Sequence, residues 1–105
     1  MSEFTLGGYM ALHDRAAAFT GADEQPYSVA LLIDDKPDER ERFGGALLFV
    51  RWSPSGDAPA GHHETDYVVF GRTPREVEER LGALSLYDVK AMLDDCIAVG
   101  RPEDF

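Results

Sequence analysis

His62 and His63 stand side by side, followed at once by Glu64, Thr65 and Asp66. Imidazole and carboxylate are ordinary ligands of zinc and manganese, and a metal-bound water becomes a hydrolytic nucleophile near neutral pH. If the stretch is extended, alternation puts His62, Glu64 and Asp66 on one face, with His63 and Thr65 on the other. Adjacent histidines then point apart, while metal sites generally draw their ligands from separate elements. The remaining histidine, His13, lies beside Asp14 and could supply a third imidazole. The simpler expectation is a polar loop over residues 53–64, rich in Pro and Gly, that leads into a buried strand and holds no cofactor. A divalent metal at His62, His63, Glu64 and Asp66 stands as the alternative.

The other reactive residue types do not converge. Asp34-Asp35, Glu78-Glu79 and Asp94-Asp95 are each neighbours in sequence. Neighbours diverge by about 100° on a helix and about 180° on a strand, so no pair aims at a shared substrate atom, as general acid–base work requires. Cys96 falls on an apolar helical stripe and reads as a small buried hydrophobe, not a nucleophile. Ser53, Ser55 and Ser85 lack a GxSxG setting, and no GxGxxG or GxxxxGK[ST] loop occurs. Gly7-Gly8 and Gly44-Gly45 read as turn or bulge positions.

A chain of 105 residues fits a single domain, 1–105. The hydrophobic share of 44% and the apolar runs argue against intrinsic disorder. The net charge of -10 would repel nucleic acid and anionic membrane surfaces, leaving solubility or a basic partner as its use. The lone cysteine excludes an internal disulfide framework and a CxxC zinc site. No apolar stretch approaches the ~18 residues of a membrane span, and the acidic start lacks the basic n-region of a signal peptide. A cytoplasmic protein is expected.

Local signals are strongest near the C-terminus. Thr73, Pro74 and Glu76 form an N-cap, a first-turn proline and a capping-box acid. Val77, Leu81 and Leu84 follow at helical spacing. Ser85 and Asp88 open a second helix with Leu86, Val89, Leu93, Cys96 and Ile97 on its apolar face, ending near Gly100. The acidic surface of that helix, with Asp88, Asp94 and Asp95, excludes a DNA-reading helix-turn-helix. Strands are expected over 26–34, 45–52 and 65–71, with the charged segment 35–42 as a hairpin connection. Residues 9–19 could be helix or strand, and a strand over 16–19 hairpinned across 20–25 accounts for the turn residues there. The expected fold is therefore α+β: an antiparallel sheet of three or four strands with two C-terminal helices packed on one face.

A complete fold without a convergent catalytic set implies a small, acidic, non-enzymatic domain that acts by protein–protein contact, self-association included. Arg51 and Trp52, at the end of the second strand, are the interface candidates, since both types are enriched at interface hot spots. A metal-dependent hydrolase at the His62–Asp66 stretch is the second reading. A small-molecule binder with its cavity between sheet and helices is the third.

Overall fold

The computed structural model describes residues 4–100. Three helices and five strands follow in the order α1 (Leu6–His13), β1 (Ala18–Thr20), β2 (Pro26–Ile33), β3 (Phe43–Trp52), β4 (Pro59–Glu64), β5 (Val69–Gly71), α2 (Pro74–Gly82) and α3 (Leu86–Val99). The strands form one antiparallel sheet in the order β1-β2-β3-β4, with β5 continuing beside β3. The helices pack on one face of it, so the α+β architecture read from the sequence holds, with five strand segments and one helix more than expected.

The expectations for the C-terminal helices hold at their caps and buried faces, except that α2 ends at Gly82 and Leu84 lies beyond it. Thr73 Oγ1 accepts from Glu76 N at 3.1 Å with Pro74 in the first turn, and Ser85 Oγ accepts from Asp88 N at 2.9 Å. These caps satisfy amide groups that a helix start leaves without intrahelical partners. Val77 and Leu81 of α2 and Val89 and Leu93 of α3 are fully buried against Leu47 and Phe49 of the sheet. The 34–42 connection is a hairpin loop as expected, held by Asp38, which accepts from the Arg40 and Arg42 amides at 2.9 Å each. Those bonds hold the Asp38 carboxyl below its usual range.

Three expectations are revised. The N-terminal segment is both helix and strand: α1 is capped by Thr5, and β1 pairs Ala18 with Ser28 across the 21–25 turn. The histidine stretch is strand, not loop. Residues 53–58 make the turn, β4 starts at Pro59, and the expected strand over 65–71 shrinks to β5. Pairing with β3 decides this, because Val50 faces His62 and Phe49 faces His63 across the ladder. The chain from β4 to β5 follows one edge of β3, with the Thr65 amide donating to Leu47 O and the Val68 amide to Gly45 O.

The glycine pairs are not turns or bulges. Gly45 lies in β3 directly under α2, where an added Cβ would stand 2.4 Å from Val77 Cγ1. Gly44 lies under the Tyr67 ring on the opposite face, where a Cβ would stand 2.6 Å from ring carbons. Gly7 is in α1 and meets Gly82 of α2 at a backbone crossing, its Cβ position only 3.1 Å from the Gly82 main chain. All three serve close approach.

Candidate functional site

The ladder register divides the sheet side chains into two sets. Tyr27, Val29 and Leu31 of β2 share a face with Arg51, Phe49 and Leu47 of β3 and with His63 of β4. This is the face under the helices, and most of it is fully buried. The alternate positions form the other face: Ala30 and Leu32 of β2, Ala46, Leu48, Val50 and Trp52 of β3, and His62 and Glu64 of β4. Among the described residues no helix covers this second face, yet its centre is apolar and half-buried.

The residues singled out by type and spacing are thereby separated. His62 and Glu64 lie on the open face, while His63 faces the helices and is only 8% exposed. Asp66 falls in the link between β4 and β5. Among the described residues no three His, Cys, Asp or Glu side chains come together closely enough to hold a metal ion. His13 stacks on Tyr9 at the end of α1, with ring centroids 4.3 Å apart, and Asp14 is the C-cap of that helix. Arg51 and Trp52 also part company. Arg51 lies on the helix side and donates to Ala60 O at 3.2 Å, whereas Trp52 lies on the open face and donates from Nε1 to Ser28 Oγ at 2.9 Å.

The electrostatics of the covered side fit structure more than chemistry. Burial is the main cause that lowers the His63 pKa, with Asp23 opposing, so the ring is held neutral. Its Nε2 is buried and has no hydrogen-bond partner among the described residues. Nearby, the Tyr27 hydroxyl donates to Asp23 Oδ2 at 2.8 Å, and burial together with that bond raises its pKa. The Cys96 thiol is pushed up by burial and then by Asp95 and Asp66, opposite to the shift an activated nucleophile needs. Between sheet and helices the space is filled by Leu47, Phe49, Val77, Leu81, Val89 and Leu93.

The open face ends in a hollow of about 720 Å³ whose floor is Leu32 and Ala46 and whose wall is Tyr67. Asp34, Glu64 and Asp66 line it, with no lysine or arginine among its lining residues. A hydrogen bond to Asp34 raises the Tyr67 pKa, and the Tyr67 ring meets Phe70 edge-on at 5.5 Å. Arg42 stacks over Phe70 at 4.2 Å and is ion-paired to Asp38 at 3.0 Å. The aromatic pair therefore closes one end of the face, and Trp52 marks the other.

The apolar floor of this face was written in the sequence, but in a form that strand recognition alone does not use. Leu31-Leu32-Ile33 and Ala46-Leu47-Leu48-Phe49-Val50 are apolar at consecutive positions. An antiparallel sheet with one face in water alternates apolar and polar residues, and unbroken apolar strands belong to sheets covered on both sides.

No known family model, curated protein or solved structure matches this chain. Among the described residues no helix is long and apolar enough to cross a membrane.

Proposed function

We propose that this domain works by binding another protein through the open face of its sheet. A single observation carries the reading. The two central strands are apolar on both faces, and the domain's own helices cover one of them. Leaving Leu32, Leu48, Val50 and Trp52 partly in water forgoes the roughly 25 cal/mol per Å² that covering them returns, and contiguous apolar surface on a small domain marks an interaction site. Trp52 is a residue type enriched at interface hot spots, and its indole N–H is already satisfied by Ser28, so covering the ring leaves no donor stranded. Arg51, facing the helices, is not part of this surface.

The test uses two baits, the native domain and Leu48→Glu. A protein retained by the native domain, lost by the variant and reconstituted from purified components as a stoichiometric complex is the expected result. Identical retention by both baits would remove the open face from the function.

A further inference from the structure

The identity of the occupant follows from three properties of the open face: its size, its lack of backbone partners and the sign of its rim. β2 is 8 residues long, about 26 Å at ~3.3 Å per residue, and four strands at ~4.8 Å spacing span about 19 Å. The flat area is then roughly 500 Å², short of the ~800 Å² per partner that a stable dimer buries. A second copy would also bring Asp34, Glu64 and Asp66 of each chain towards a surface of the same sign. A single segment fits this area better than a second domain.

A segment laid across a sheet face meets side chains, not a free row of N–H and C=O groups. An extended peptide there would bury its own backbone without partners, at a cost that native structures avoid. A helix arrives with its backbone satisfied and needs only an apolar stripe to match the floor. At ~1.5 Å rise per residue, about 17 residues, or nearly five turns, span the length of the face.

Charge decides the rest. Asp34, Glu64 and Asp66 line the hollow beside Tyr67 without a basic residue among the lining residues, and the arginines that reach Phe70 are already engaged: Arg42 with Asp38 and the Phe70 ring, Arg80 with Glu76 and the Phe70 carbonyl. Among the described residues these carboxylates form no group of three that could hold a metal ion. An ammonium or guanidinium on an aliphatic stem suits the space, with its stem on Leu32 and Ala46 and its charge among the acids.

We propose that the open face seats a basic amphipathic helix of another protein, whose apolar stripe covers Leu32, Leu48, Val50 and Trp52 and whose lysine or arginine enters the Asp34–Glu64–Asp66 hollow. This rests on the reading of the open face as a docking surface, and the helix would complete a three-layer α/β/α arrangement around the sheet.

The probes are two fluorescein-labelled peptides of sixteen to eighteen residues with the same leucine stripe, one with lysines and one with glutamates on the polar face. Anisotropy titrations at physiological salt are run on the native chain, on Leu48→Glu/Val50→Glu, and on Asp34→Asn/Glu64→Gln/Asp66→Asn, with sedimentation velocity of each protein. Circular dichroism confirms that each variant is folded. The expected result is saturable binding of the lysine peptide, with about tenfold loss in the charge-neutral variant and loss also in the Glu variant. The second loss separates docking from plain attraction, because the Glu variant is more acidic and would bind a merely electrostatic ligand more tightly. Equal binding of both peptides, abolished by Leu48→Glu/Val50→Glu, would overturn the basic occupant and keep the docking face. A native dimer that the Glu variant dissolves would do the same, with a second copy as the occupant. Peptide binding indifferent to both variants, or no binding to a monomeric native chain, would overturn both.

Discussion

The two faces of this sheet are built from the same strands, and Leu47 and Leu48 are the same residue type one step apart. Leu47 is sealed under the helices, while Leu48 looks out from the uncovered side between Ala30 and Glu64. One face is a finished core in which every neighbour comes from the chain itself. The other has the composition of a core with half its neighbours missing. Stability is therefore expected to reside on the first face and recognition on the second.

The sharpest test of that division is the pair Phe49→Ala and Leu48→Ala. Phe49 is fully buried, so its truncation is expected to cost about 3–5 kcal/mol, against about 1 kcal/mol or less for Leu48. Urea unfolding of both variants reads the difference, and equal costs would mean that the open face is as load-carrying as the covered one. The glycine pair repeats the comparison at smaller scale. Gly45→Ala drives a methyl into Val77 and is expected to cost about 1–3 kcal/mol by overpacking. Gly44→Ala meets only the Tyr67 ring, which is half exposed and can swing out, so its cost is expected to be the lower of the two.

The two histidines give the third and fourth contrasts. His63 has a folded-state pKa below its unfolded value, so protonation favours the unfolded chain. Its penalty is absent above an unfolded pKa of about 6.5 and grows as pH falls through and below that value. His63→Leu removes a buried nitrogen without a partner, and is expected to hold or raise stability at pH 7 by up to about 1 kcal/mol and to flatten the loss between pH 7 and 5. Melts across that pH range decide it, and an unchanged acid limb would clear His63 of the role. His62→Ala, on the open face, is expected to shift stability by no more than about 0.5 kcal/mol. Zinc or manganese is expected to move the melting midpoint of the native chain no further than that of a His62→Ala/His63→Ala variant. A metal-specific rise confined to the native chain would restore the metal reading.

How far the sequence disclosed these features depends on how local their causes are. The Thr73 and Ser85 caps are settled within four residues, and both helices begin where those residues say. β4 was hidden because its evidence is not in its own composition. Pro59, Gly61 and two histidines argue for a loop, and only the ladder partners Val50 and Phe49, a turn away along the chain, make it a strand. α1 was obscured for the opposite reason. Thr5 caps it, but Gly7, which lets it approach Gly82, and the neighbouring Gly8 also erase the apolar periodicity that announces a helix. The hydrophobic floor of the open face lay in plain view in the runs 31–33 and 46–50, while the convergence of Asp34, just after β2, with Glu64 at the end of β4 and Asp66 beyond it required the fold itself.

The sheet order has a kinetic side. Strands β1 to β4 lie next to one another in the order in which they are synthesised, joined by the short segments 21–25, 34–42 and 53–58. Each ladder can zip from its own turn, with little loop entropy to overcome. The N-terminal helix is fastened quite differently: Leu6 N donates to Leu84 O, Leu86 N to Phe4 O, and Thr5 bridges Ser85, closing nearly the whole chain into one loop. The meander is thus set to form early and the clasp at Thr5 and Ser85 to snap shut late. Weakening the clasp will hasten unfolding while leaving the rate of folding almost untouched.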